Sequence, residues 1–136
     1  MTEVIVCETC RHPDVPPTED GPTAGAVLAG ALRTALAGRA GTADVRLSTM
    51  RCLMSCKRSC AVHVRAPGKM AYVLGDLAPT ADTAHTLAAY VEAYAAADDG
   101  VVPFRQWPEG VKGRFVARVP PLPAPAGPAG TEGEGG

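Results

Sequence analysis

The sequence predicts an α/β domain of element order β-α-β-β-β-α with a mixed sheet and a disordered C-terminal tail. Three observations carry this reading. Two short apolar runs, one ending at Cys7 and one ending near Thr49, flank a single helical stretch, which makes a βαβ unit. Strands joined in that way run parallel through a right-handed crossover. Beyond Thr49 the chain offers two further apolar runs around Pro67-Gly68, which read as an antiparallel hairpin, and then a second helical stretch. After Val119 the chain is mostly Pro, Gly and Ala, so the domain is expected over 1–119 and the tail over 120–136.

A chain of 136 residues has room for one core. Its hydrophobic fraction is 46%, but aromatics make up only 4%, so the core must be built from Val, Leu and Ala. The net charge of −1 gives no overall bias toward nucleic acid or a membrane surface. Met1-Thr-Glu-Val-Ile-Val-Cys7 lacks the basic start and the long apolar run of a signal peptide. The longest apolar candidate, 24–32, is about half of what a spanning helix requires. A soluble, cytoplasmic protein is expected. In that reducing compartment five cysteines, an odd number, point to metal or redox chemistry rather than to structural bridges.

Glu3-Val-Ile-Val-Cys7 is rich in β-branched residues and reads as a buried strand that delivers Cys7 at its end. Pro13, Pro16, Pro17 and Pro22 make the next segment a loop. Thr23 is placed to cap a helix in which Leu28, Leu32 and Leu36 form a core-facing stripe, with Gly38 and Gly41 ending it. In Val45-Arg-Leu-Ser-Thr49 the alternation turns Val45 and Leu47 inward, giving a half-buried strand. Ala66-Pro67-Gly68-Lys69 has the residues of a type II turn between 61–65 and 70–74. From Thr80 to Asp98, Leu87, Tyr90, Val91 and Tyr94 recur with helical period, and Gly100 closes the run. The stretch from Val101 to Val119 has no clear period, although Phe104, Trp107 and Phe115 offer rings to fold it back on the core.

The cysteines fall into two groups, Cys7-x2-Cys10 and Cys52-x3-Cys56-x3-Cys60. If the first two strands are parallel neighbours, they end at the same edge of the sheet, and the loops that carry these groups lie side by side. Thiolates so gathered suit an iron–sulfur cluster or Zn²⁺. The second group is not the tight knuckle of a zinc ribbon. Cys7-x2-Cys10 after a strand also resembles a thioredoxin redox pair, but that motif needs a helix beginning at the cysteines. Here the prolines delay the helix to about residue 23.

Between Val45 and Gly75 there is no acidic residue, while Arg46, Arg51, Lys57, Arg58, Arg65 and Lys69 are basic. Cations stabilise thiolates and can form a docking face for an acidic partner; a solvated basic surface is the plain alternative. No aromatic interleaves with the basic residues of 51–60, which argues against nucleic acid. His63 and His85 read as surface or edge histidines, and His12 is the one histidine placed to stand in for a thiolate. Tyr90 and Tyr94 read as core or rim packing. No Ser/His/Asp set, phosphate loop or carboxylate pair stands out.

Val45–Asp76, VRLSTMRCLMSCKRSCAVHVRAPGKMAYVLGD, resembles the second half of thioredoxin-like [2Fe-2S] ferredoxins, where a strand leads into C-x3-C and then a hairpin. More broadly, the chain from Cys7 to about Pro121 resembles a bacterial family of predicted metal-binding proteins of unknown function. The shared marks are Cys7-Glu-Thr-Cys10, Cys52-Leu-x2-Cys56-x3-Cys60, Ala66-Pro67-Gly68-Lys69, Gly75-Asp76-Leu77 and Arg118-Val-Pro-Pro. Members of that family are said to occur near cobalamin-related genes, which hints at cobalamin-related partners.

The resemblance implies a thioredoxin-like fold and a [2Fe-2S] cluster held by Cys7, Cys10, Cys52 and Cys56. Those ferredoxins space their first pair more widely and usually carry Gly-Pro where Cys60 stands. Cys60 is therefore a metal ligand in place of Cys7 or Cys10, a free thiol beside the site or a buried bystander, and a [4Fe-4S] cluster or Zn²⁺ stays open. The resulting expectation is an electron carrier or cluster-bearing accessory protein rather than an enzyme. Its partner would be a redox protein or metalloenzyme that docks on Arg51, Lys57 and Arg58. The rival is a zinc-stabilised interaction module with a basic docking face.

Overall fold

The computed structural model describes residues 2–8, 23–51 and 60–121. Thr2–Cys7 (β1) and Val45–Met50 (β2) pair in parallel, with Cys7 opposite Met50. Ala24–Ala37 (α1) connects them, so the βαβ unit expected from the sequence is present, with its strands immediate neighbours. Val62–Arg65 (β3) lies antiparallel on the other side of β1, and Ala71–Leu74 (β4) follows it through the hairpin. In that turn Lys69 N–H donates to the Ala66 carbonyl at 3.1 Å, and Gly68 has a φ of 74°. A positive φ at the third position is the signature of type II, and glycine adopts it without a Cβ clash.

Ala81–Ala96 (α2) follows, and the chain then makes a strand that sequence periodicity does not announce, Phe115–Val119 (β5). It pairs antiparallel with β4 and gives a five-stranded mixed sheet of order β2-β1-β3-β4-β5. β5 is one of the two outer strands, largely exposed, and the register slips by a bulge between Val73 and Leu74. Such a strand shows no alternation because little of it is buried.

Both helices lie in one core with a single face of the sheet. Val4, Val6, Val62, Val64 and Leu74 are fully buried together with Leu28, Leu32, Leu87 and Val91. Full burial of each such side chain contributes about 1.5–3 kcal/mol. Threonines cap both helices, Thr23 as the sequence predicts and Thr80 in addition. Thr23 Oγ1 accepts from Ala26 N–H at 3.1 Å, and Thr80 Oγ1 accepts from Thr83 N–H at 3.2 Å.

Rings hold the 101–119 stretch. Phe115 stacks edge-on against Tyr72 (5.4 Å) and Tyr90 (5.5 Å) and packs on Trp107 (4.6 Å). Trp107 Nε1 donates to the Val102 carbonyl at 2.8 Å. Phe104 does not join the core; it is 62% exposed and lies against Trp107. Tyr90 and Tyr94 are core residues, and burial raises both phenol pKa values, that of Tyr94 to about 12.

No described helix is long and apolar enough to cross a membrane. Pro120 and Pro121 carry no regular structure, and the expected tail from residue 122 onward lies outside the described residues.

Candidate metal centre

Cys7 is the last residue of β1, and the two strands beside it set its surroundings. On one side Glu8 N–H donates to the Met50 carbonyl at 2.8 Å, and the Cys7 thiol points to the Arg51 carbonyl at 3.7 Å. On the other side Cys7 N–H donates to the Ala61 carbonyl at 3.0 Å. The backbone of Cys7 is thus clasped between the end of β2 and the approach to β3. The segment 52–59, which carries Cys52 and Cys56, leaves from Arg51 and returns at Cys60, so both of its ends lie beside Cys7.

Cys60 is fixed more firmly than a loop residue. Its N–H donates to the Leu77 carbonyl and its carbonyl accepts from Leu77 N–H, both at 3.3 Å, a reciprocal pair just beyond the β3–β4 ladder and out of its register. Cys60 has no exposed surface and Cys7 is 1% exposed. Burial, with a smaller contribution from Cys7 nearby, pushes the Cys60 thiol up to about 11.

The first turn of α1 rests on the same backbone. A Cβ added to Gly25 would lie 1.9 Å from the Cys7 carbonyl oxygen, a position no side chain can take. Thr23 Oγ1 also donates to the Glu8 carbonyl. The prolines do delay the helix in sequence, but the fold brings its N-terminus back to Cys7. A helix N-terminus favours negative charge nearby, so this placement suits a thiolate or an anionic cluster. Gly25 is a residue that sequence reasoning did not single out, although a glycine in a helical first turn is a signal for close backbone approach.

Of the cysteines expected at the site, the structure brings Cys7 and Cys60 to one end of the sheet. Cys10, Cys52 and Cys56 lie outside the described residues, as do His12, Lys57 and Arg58. Among the described residues there is no group of three His, Cys, Asp or Glu side chains that could hold a metal ion. Arg51 is exposed where β2 ends. The donor chemistry at this end is sulfur on a buried frame, which fits a thiolate-held group.

His63 requires a correction. It is not at an edge: β3 is the middle strand, with Ile5 and Val73 opposite His63 on either side. Its Nε2 is buried and finds no hydrogen-bond partner among the described residues. Burial, with Arg65 adding to it and Glu3 opposing, lowers its pKa. His85 is exposed on α2 as expected.

Residues 4–121 match the family described as Protein of unknown function (DUF1636). The chain belongs to that family. For a DUF1636 protein the match spans both helices and the sheet apart from the first two residues of β1, so the described end at Cys7 and Cys60 is part of the family's own domain. No curated protein is significantly similar to this chain. Among solved structures it is similar to one described as a thioredoxin-like [2Fe-2S] ferredoxin from Aquifex aeolicus. The TM-score is 0.50 at 15% identity, over 88% of this chain and 94% of that one. At that identity the likeness shows the fold alone: this DUF1636 chain has a thioredoxin-like α/β architecture.

Proposed function

We propose that the protein binds a [2Fe-2S] cluster through Cys7, Cys10, Cys52 and Cys56 and serves as a small electron carrier or cluster-bearing accessory protein in the cytoplasm. The observation that carries this reading is the clasp on Cys7. Hydrogen bonds to Met50 and Ala61 put Cys7 beside both ends of the segment that bears Cys52 and Cys56. Cys10 follows Cys7 by three residues.

Such a cluster supplies one-electron chemistry when bound. The chain's own contribution is to hold thiolates on a rigid frame, with the N-terminus of α1 against the Cys7 backbone and little solvent at Cys7 and Cys60. Electron transfer asks for no catalytic side chain, only a site near the surface and a docking patch. Arg51, Lys57 and Arg58, at the start and middle of the same segment, supply positive charge for an acidic redox partner. The fold shared with a [2Fe-2S] ferredoxin is consistent with this use.

Cys60 favours a second reading. It is buried and backbone-paired beside Cys7, so Cys7, Cys52, Cys56 and Cys60 would make a closed four-thiolate shell of the kind that structural zinc adopts. Anaerobic purification with iron, sulfide and zinc analysis and an absorption spectrum separates the two. A brown protein with iron and sulfide in equal amounts is expected. A colourless protein with one zinc and no sulfide would overturn the cluster. Serine replacement of each cysteine then assigns ligands; loss of the group in Cys60→Ser with retention in Cys10→Ser moves the fourth ligand to Cys60.

A further inference from the structure

Away from the cysteines, α1 and the outer strand β2 enclose an open groove of about 390 Å³. Leu36 and Ala37 of α1 and Val45 and Leu47 of β2 line it with apolar surface, and Arg33 and Arg39 bring guanidinium groups to it. The two arginines differ. Arg39 is held by the Glu92 carboxylate at 2.8 Å, whereas Arg33 is exposed and makes no ion pair among the described residues.

β2 itself is half used. It pairs with β1 along one edge, and among the described residues nothing pairs with the other. An unpaired strand edge presents a row of N–H and C=O groups that an incoming extended chain can satisfy. Side chains alternate between faces, so Val45 and Leu47 face the groove while Arg46 points to the opposite face. Arg46 stands opposite Glu3, but that carboxylate is taken by Arg65 at 2.8 Å. Arg46 is exposed and, like Arg33, has no ion pair among the described residues. The outer edge of β2 therefore carries an unneutralised guanidinium on each face and an apolar groove on one of them.

We propose that this edge is a docking site for an extended acidic segment of a partner protein, which adds to β2 as a sixth strand. An apolar side chain of the segment seats between Leu36, Ala37, Val45 and Leu47. A carboxylate two residues away on the same face meets Arg33, and one on the other face meets Arg46. The groove explains the need for an apolar residue, and the two arginines explain the acids around it. The site is independent of what the cysteines hold, so it can be tested on the purified protein with or without metal.

The probe is a blocked, fluorescein-labelled peptide reading Glu-Glu-Val-Glu-Glu, titrated by fluorescence anisotropy at low and at physiological salt. Binding that weakens with salt is expected, with amide shifts confined to Val45–Met50 and the facing side of α1 in a two-dimensional NMR spectrum. Arg33→Glu and Arg46→Glu should each weaken binding about fivefold or more, since each turns an attraction into a repulsion. Arg33→Gln and Arg46→Gln should give smaller losses, with circular dichroism unchanged in all four. The same peptide N-methylated at every residue has no N–H left to donate along either edge and should not bind. Equal binding of a Lys-for-Glu peptide, retained binding of the N-methylated one, or indifference to both arginine reversals would overturn the proposal. So would failure of the acidic peptide to bind while a small apolar sulfonate fills the groove.

Discussion

Gly25 lies so close to Cys7 that a methyl group on it would come 1.9 Å from the Cys7 carbonyl oxygen. The oxygen belongs to backbone held on both sides by neighbouring strands, so it cannot move aside cheaply. The start of α1 must then retreat from the sheet. Gly25→Ala is expected to lower stability by about 2–4 kcal/mol, in the range of overpacked core sites, and to reduce bound metal more than Gly30→Ala does. Urea denaturation and metal analysis of the two variants check this; Gly30 has open space around its Cα and serves as the control.

Tyr94 ties α2 to the hairpin. Its hydroxyl donates to the Met70 carbonyl at 2.5 Å, and Lys69 Nζ lies 5.4 Å from its ring while bonding to the Tyr94 and Ala95 carbonyls at the helix end. Tyr94→Phe keeps the ring and leaves the Met70 carbonyl without that donor. A loss of about 1–2 kcal/mol in chemical denaturation is expected, with the fold intact by circular dichroism.

Glu92 bridges α2 to the turn after α1 by accepting from Arg39 Nε and from Gly41 N–H, both at 3.0 Å. The Arg39 hydrogen bond, with its charge and the Gly41 contact adding, holds the Glu92 carboxyl below its ordinary value. A depressed folded pKa means that the unfolded chain binds the proton more readily. The stabilisation is present above the ordinary carboxylate range and is lost as pH falls through the folded value. Thermal midpoints of the wild type and Glu92→Gln are therefore expected to differ at pH 7 and to converge in acid.

His63 gives a dependence in a different window. Its pKa is lowered by burial, so the folded protein prefers the neutral ring and protonation favours unfolding. Stability should fall as pH drops from about 6.5 through the lower folded value. His63→Leu should remove that part of the pH dependence and, because it removes a buried nitrogen without a partner, should be neutral or stabilising at pH 7. Urea titrations at pH 7.0 and 5.5 on both proteins test it; an equal drop in the two would reject the assignment.

Much of the fold follows from local pattern. Val4 and Val6 alternate into the core, Leu28, Leu32 and Leu36 form one helical stripe, Thr23 and Thr80 cap, and Pro67-Gly68 turns the hairpin. Even the meeting of the β1 and β2 ends was legible, since a single helix between two strands forces them parallel. That inference concerns connectivity and needs no side-chain detail.

β5 was not legible, because its pattern is that of an exposed edge and its identity as a strand comes from pairing with β4. The role of Gly25 was hidden for a similar reason: its neighbour, the Cys7 carbonyl, is distant in sequence and adjacent only after α1 folds back. His63 looked like an edge residue until β1 and β4 closed on both sides of it.

The sequence by itself determined which cysteines exist, the strand that ends in Cys7 and the parallel pairing that brings the ends of β1 and β2 together. Only the tertiary structure decided that Cys60 is buried and backbone-paired with Leu77, beside Cys7, and that the helix N-terminus lies on the Cys7 backbone. Periodicity reports how one element meets the core; contacts between elements depend on how the elements close together, and no local pattern encodes that.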